Sequence, residues 1–155
     1  MALQFARAWG CEVTAFSTTA NKTEEAHSMG AHRFAATDDA GTLKSHANHF
    51  DLLLSTVHAN LDWPSYLSML KPRGTLHVVG AAPAPLQVPA FALISGQRSV
   101  AGSPLGSPAT TASMLQFAAR HKIAPVVERF KAQNINDAIE RVRSGKARYR
   151  VVLDF

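Results

Sequence analysis

Three consecutive hydroxyl side chains, Ser17, Thr18 and Thr19, followed by Lys22, are the residues of this sequence best suited to chemistry. Hydroxyl groups donate hydrogen bonds to phosphate oxygens, and an ammonium group one helical turn further on adds a point charge. The cluster follows an apolar run from Glu12 to Phe16 that reads as a strand. In a dinucleotide-binding sheet that prefers NAD, such a strand end carries Asp or Glu, which accepts from the ribose 2′-hydroxyl. A carboxylate there would repel a 2′-phosphate, so hydroxyls and a lysine in its place point to NADP. The same residues also read as a Ser/Thr-rich helix cap with a solvated lysine.

Other candidates lie further along the chain. Thr56 and Val57 close the apolar strand that begins at Asp51, on the carboxyl edge where open α/β sheets hold ligands. Simple packing of Val57 is the competing reading. Gly80 ends the next strand, where the lack of a side chain permits close backbone approach to a ring, or marks only a turn. The stretch Gly102-Ser103-Pro104-Leu105-Gly106-Ser107 combines a loop with a helix cap made by Ser107 and Pro108. The His residues show no His-x-x-x-His pair and no cysteines at ligand spacing, which excludes the common zinc motifs. His46 and His49 read as an exposed pair, His77 as a packed or edge histidine, and Trp9 and Trp63 as core or interface aromatics.

The elements that must position these residues alternate between short apolar runs and helical patterns, the mark of a parallel α/β sheet. A helix closed by Gly10 precedes the Glu12–Phe16 strand. Thr19 is expected to cap a helix through Met29. A strand at Arg33–Ala36 and a helix at Asp38–His46 follow. After the Asp51–Val57 strand come a helix from Asp62 to Leu70, ended by Lys71-Pro72-Arg73-Gly74, and a strand at Thr75–Val79. A Pro-rich connection leads to an apolar turn at Phe91–Ile94, a strand at Arg98–Ala101 and a helix from Ser107 to Arg120. A strand at Val126–Phe130, a helix capped by Asn134 and closed by Gly145, and a strand at Tyr149–Leu153 complete the pattern. The chain opens inside a helix, with no strand or glycine turn ahead of it, so we expect a Rossmann-like doubly wound sheet that lacks its first strand.

Composition narrows the field. The chain has 155 residues, 46% hydrophobic and 17% charged, a profile that supports a packed core. No run approaches the roughly 18 apolar residues of a membrane span, so no membrane partner is expected. The N-terminal residues do not form a signal peptide, and one cysteine, Cys11, excludes an internal disulfide framework; both suit the cytoplasm. A net charge of +5 invites a nucleic-acid reading, but the basic residues form no single run and no recognition helix is evident. Nucleic acid is therefore not an expected partner.

An ordered set of motifs carries a more specific resemblance. Met1-Ala-Leu-Gln-Phe-Ala-Arg-Ala-Trp-Gly10, Phe16-Ser-Thr-Thr-Ala-Asn-Lys22 and Asp51-Leu-Leu-Leu-Ser-Thr-Val57 are followed by three more. These are Leu76-His-Val-Val-Gly80, Gly102-Ser-Pro-Leu-Gly-Ser107 and Ser144-Gly-Lys-Ala-Arg-Tyr-Arg150. Together they resemble the zinc-dependent medium-chain alcohol dehydrogenases, in the cinnamyl-alcohol-dehydrogenase-like, NADP-using branch. The resemblance implies that Ser17, Thr18, Thr19 and Lys22 bind the 2′-phosphate and that Thr56 and Val57 border the adenosine side. It also implies that the backbone around Ser103 and Leu105 holds the nicotinamide carboxamide, and that Arg150 reaches the pyrophosphate. Pro104 departs from the commoner bulky residue and removes one backbone donor.

By the same resemblance, residues 1–124 correspond to a partial NADP-binding domain and residues 125–155 to a segment returning to the catalytic domain. The family's Gly-rich turn, zinc ligands and proton-relay residues match nothing in this chain. The expected function is the cofactor part of an enzyme that interconverts aldehydes and primary alcohols, inactive by itself, from a parent that forms a homodimer. A non-catalytic nucleotide-binding module and a piece of a zinc-free NADPH quinone reductase are the alternatives.

Overall fold

A computed structural model describes the backbone of residues 1–155 and the side chains of all but residue 40. The first half runs α1 (Ala2–Ala8), β1 (Thr14–Ser17), α2 (Thr23–Ser28), β2 (Arg33–Ala36), α3 (Ala40–Ser45) and β3 (Phe50–Ser55). Then come α4 (Trp63–Ser68), β4 (Leu70–Val78), α5 (Ala90–Ile94), β5 (Ser99–Gly102) and α6 (Pro108–Arg120). The chain closes with β6 (Val127–Lys131), α7 (Ile135–Arg143) and β7 (Arg150–Asp154). Every strand pair is parallel, as the alternation of strands and helices requires.

The expected single sheet is divided. β1 pairs only with β2, β3–β4–β5 form a second sheet, and β6 pairs with β7 in a third. Among the described residues no strand lies between β1 and β3, so each keeps an unpaired edge. A doubly wound sheet with a 3-2-1-4-5-6 order divides in this way when its central strand is left out.

The main core lies against one face of β3–β4–β5. Leu53, Trp63, Leu67, Met69, Leu70 and Leu76 are buried together, with Phe16 of β1 packed onto them. Phe16 meets Phe50 edge-on at 5.5 Å between ring centroids, which ties the first sheet to the second. A smaller core of Ala15, Ala26 and Ala31 holds α2 against β1. Trp9 rests against Phe5 and Phe117, so α1 and α6 are joined by aromatic contacts.

Several expected boundaries shift. Lys71-Pro72-Arg73-Gly74 lies inside a strand rather than at a helix end: α4 stops at Ser68 and β4 starts at Leu70, which pairs with Phe50, with an irregularity before Leu52 meets Thr75. Local Pro and Gly signals are overridden there by strand pairing. Phe91–Ile94 is helical rather than a simple turn. Ser107 caps α6 as expected, accepting from the Thr110 N–H at 3.2 Å. Asn134 makes no side-chain cap, and a short 3₁₀ turn, Ala132–Asn134, leads into α7 instead.

Candidate cofactor site

Ser17 is the last residue of β1, and Thr18 and Thr19 continue from it into solvent. The expected helix from Thr19 is broken: a 3₁₀ turn, Ala20–Lys22, precedes the six-residue α2. Thr19 does not cap that helix. Its hydroxyl donates to Asn21 Oδ1 at 2.6 Å, while Thr23 donates to the Ala20 carbonyl at 2.6 Å. Lys22 is exposed and stands at the N-cap position of α2. A hydroxyl-lined turn with an exposed ammonium group and no carboxylate between Ser17 and Lys22 is open to an anion. The Ser17 carbonyl is fixed from behind by the N–H and hydroxyl of Thr37.

A second group forms at the carboxyl ends of the other sheet. Register places Ser55 opposite Val78, and Val78 opposite Gly102, so these strand ends are level. The N–H groups of Val79 and Gly80 both donate to the Ser55 carbonyl, at 2.9 and 3.1 Å. A Cβ at Gly80 would fall on the carbonyls of Thr56 and Val57, well inside van der Waals contact. The glycine therefore lets the Thr56–Val57 segment lie across it, a need internal to the chain. Ser103, just past β5, is within 3.0 Å of His77 Nε2. Thr56, Val57, Gly80 and Ser103 are thus brought together.

The surroundings suit a ligand with an aromatic ring and polar groups. Val57 and Val79 stay about half exposed and Leu105 is 98% exposed at this edge, apolar surface for a bound ring. The Ser55 hydroxyl is shielded from water and has no hydrogen-bond partner. The residues present fit the adenosine and nicotinamide ends of a dinucleotide.

Arg150 is exposed at the start of β7, opposite Val127. Sequence reasoning also missed two connections. One is the bond from His77 to Ser103; strand alternation could have paired them, because both lie on one face. The other joins Glu25 to the C-terminal segment, which no local signal announces. Arg148 Nη1 lies 3.6 Å from Glu25 Oε2.

The histidines serve local structure. His32 Nδ1 accepts from the Val13 N–H at 3.0 Å, and His46, half-buried rather than exposed, stacks on Phe50. Among the described residues no three His, Cys, Asp or Glu side chains gather to hold a metal ion. Among the described residues no helix is long and apolar enough to cross a membrane.

Comparison with known proteins places this geometry. Residues 1–120 match the model of the zinc-binding dehydrogenases. The chain is 51% identical over 153 residues to the aldehyde reductase AdhA of Synechocystis, covering 99% of this chain and 46% of that protein. A cinnamyl alcohol dehydrogenase of Sorghum bicolor superposes with a TM-score of 0.91 at 39% identity, over 99% of this chain and 44% of that one. A Helicobacter pylori protein named CAD, solved with NADP(H), gives 0.82 at 34% identity over the same shares. The chain spans less than half the length of the proteins it matches.

Proposed function

Because the chain belongs to the zinc-binding dehydrogenase family, we propose that it is the NADP-binding part of an alcohol dehydrogenase that interconverts aldehydes and primary alcohols. Residues 1–124 make up the partial cofactor domain, and residues 125–155 the segment that returns to the catalytic domain. The observation that carries this reading is the turn after β1: three hydroxyls and Lys22, with no carboxylate to meet a ribose 2′-hydroxyl. The Sorghum enzyme, named for cinnamyl alcohol, and the Synechocystis protein, named an aldehyde reductase, support the substrate class.

The division of labour follows from the strand ends. Ser17 and Thr18 donate to the 2′-phosphate, Thr19 joins them by exchanging its bond to Asn21, and Lys22 neutralises the charge. Thr56 and Val57 border the adenosine, across the bare backbone of Gly80. Ser103 and Leu105 present the loop that meets the nicotinamide carboxamide, with the Ser103 hydroxyl oriented by His77. Arg150 is assigned to the pyrophosphate. The bound cofactor supplies the hydride; this chain holds and orients it. Among the described residues no zinc site forms, and none of the roles assigned here depends on a metal.

Amide NMR of the chain titrated with 2′,5′-ADP and with 5′-AMP tests the reading. The expected result is that 2′,5′-ADP shifts the amides of residues 17–22 and 5′-AMP leaves them in place. Equal responses to the two ligands would remove the basis for assigning NADP.

A further inference from the structure

The ends of α1, α2 and α6 meet around one open cavity of about 520 Å³. Its lining includes Arg7 of α1, His27 of α2, and His121 and Lys122 just past α6. Among the described lining residues none is acidic, and neither Arg7 nor Lys122 takes part in an ion pair. Lys22 stands at the start of α2 and His27 in its last turn, so this cavity and the cofactor turn occupy opposite ends of that helix. Unpaired positive charge in a concave surface focuses its field on the space inside.

Basic side chains in a last helical turn ordinarily serve the helix's own carbonyls. Here the backbone already does so, with the same two bonds at each helix end. In α1 the N–H groups of Gly10 and Cys11 donate to the carbonyls of Arg7 and Ala6. Gly30 and Ala31 donate to His27 and Ala26 in α2, and Lys122 and Ile123 to Ala119 and Ala118 in α6. This closure requires a left-handed residue, which is Gly10 in α1, Gly30 in α2 and Lys122, at φ 56°, in α6. A side chain makes that conformation costly where glycine adopts it freely, so Lys122 is held there against its backbone preference. The other groups are fixed as well. A Cβ at Gly30 would meet Arg7 Cδ at 3.2 Å, so the arginine stem lies along the bare glycine. His27 Nδ1 donates to the Ala31 carbonyl at 3.0 Å, and His121 stacks on Phe117 at 4.2 Å. Gln4 of α1 donates to the Ala124 carbonyl at 3.3 Å, which joins the first helix to the chain leaving the third.

We propose that this cavity is a second anion site, separate from the cofactor turn, that takes a small molecule carrying phosphate groups. Arg7 supplies a planar fork that matches two phosphate oxygens, and Lys122 a point charge that follows a third. The cavity has room for more than one phosphate group. Strain kept at Lys122 is accounted for by the charge it brings to the cavity, which a glycine would not supply. The proposal does not rest on the NADP reading, because no residue of the Ser17–Lys22 turn belongs to the cavity.

The test is amide NMR of the full 155-residue chain titrated with inorganic pyrophosphate, with citrate, and with sodium chloride at matched ionic strength. Pyrophosphate is expected to shift the amides of Arg7, Gly30 and Lys122 together and saturably, while sodium chloride leaves them in place. Lys122→Gly and Arg7→Gln are each expected to weaken pyrophosphate at this cavity by about tenfold, the loss of one bond to a charged group. Lys122→Gly is also expected to raise the urea midpoint of the free chain, because the left-handed position then carries no strain. Still amides, equal shifts in sodium chloride, or undiminished affinity in both variants would overturn the site. Tighter binding of citrate would overturn the choice of phosphate, and a lowered midpoint in Lys122→Gly would overturn the reading of that lysine. Should Arg7→Gln fail to fold, Lys122→Gly decides. Shifts at residues 17–22 are read separately, so failure of the cofactor turn to bind leaves this result intact.

Discussion

At Gly80 the backbone of Thr56 and Val57 fills the space that any other residue's Cβ would need. The two N–H groups bonding to the Ser55 carbonyl hold the segments at that spacing. Gly80→Ala is therefore expected to destabilise the chain by about 1–3 kcal/mol, the usual cost of forcing one methyl group into a filled site. Urea denaturation followed by circular dichroism measures this, and an unchanged midpoint would mean that the close approach is not maintained in solution. At the residue scale the sequence showed which groups could bind phosphate, since hydroxyls and a lysine at a strand end declare themselves by type. It marked Gly80 as a site residue but did not show why, because the obstructing carbonyls belong to another strand end. The Glu25–Arg148 contact was illegible for the same reason: it depends on tertiary placement.

Among the elements, the β6–α7–β7 unit depends most on charge. Arg141 bonds hold the Glu128 carboxyl below its ordinary range, and Arg129 does the same for Asp154 across the strand pair. A carboxylate whose folded-state pKa is depressed adds stability above its unfolded value and loses it as pH falls through the folded one. This unit should therefore loosen as pH drops below about 4, while the alanine and leucine cores remain unaffected. Acid titration monitored by hydrogen exchange is expected to show β6 and β7 opening first. Glu128→Gln with Asp154→Asn should flatten that transition, and an unaltered acid profile in the double variant would contradict the assignment. The α/β alternation made most strands and helices legible. The exceptions were stretches where pairing outweighed local composition, as at Lys71–Gly74, or where a helix was too short to keep its start, as at Thr19.

For the molecule as a whole, the parallel sheet and its open centre follow from the same pattern. The unpaired edges of β1 and β3, and Leu52 and Leu54 exposed on β3, are surfaces ready to pair with another strand. The free edge of β5 is where we propose that the parent enzyme pairs with its second copy. In the reading proposed above, cofactor choice depends on one turn at the end of one short strand, so one substitution there is expected to reverse it. Fluorescence titration of the chain and its Ser17→Asp variant with NADPH and NADH tests this most directly. The unaltered chain is expected to bind NADPH at least about tenfold more tightly than NADH, with the variant losing or inverting that preference. Equal affinity for the two cofactors, or a preference untouched by the new carboxylate, would contradict the account.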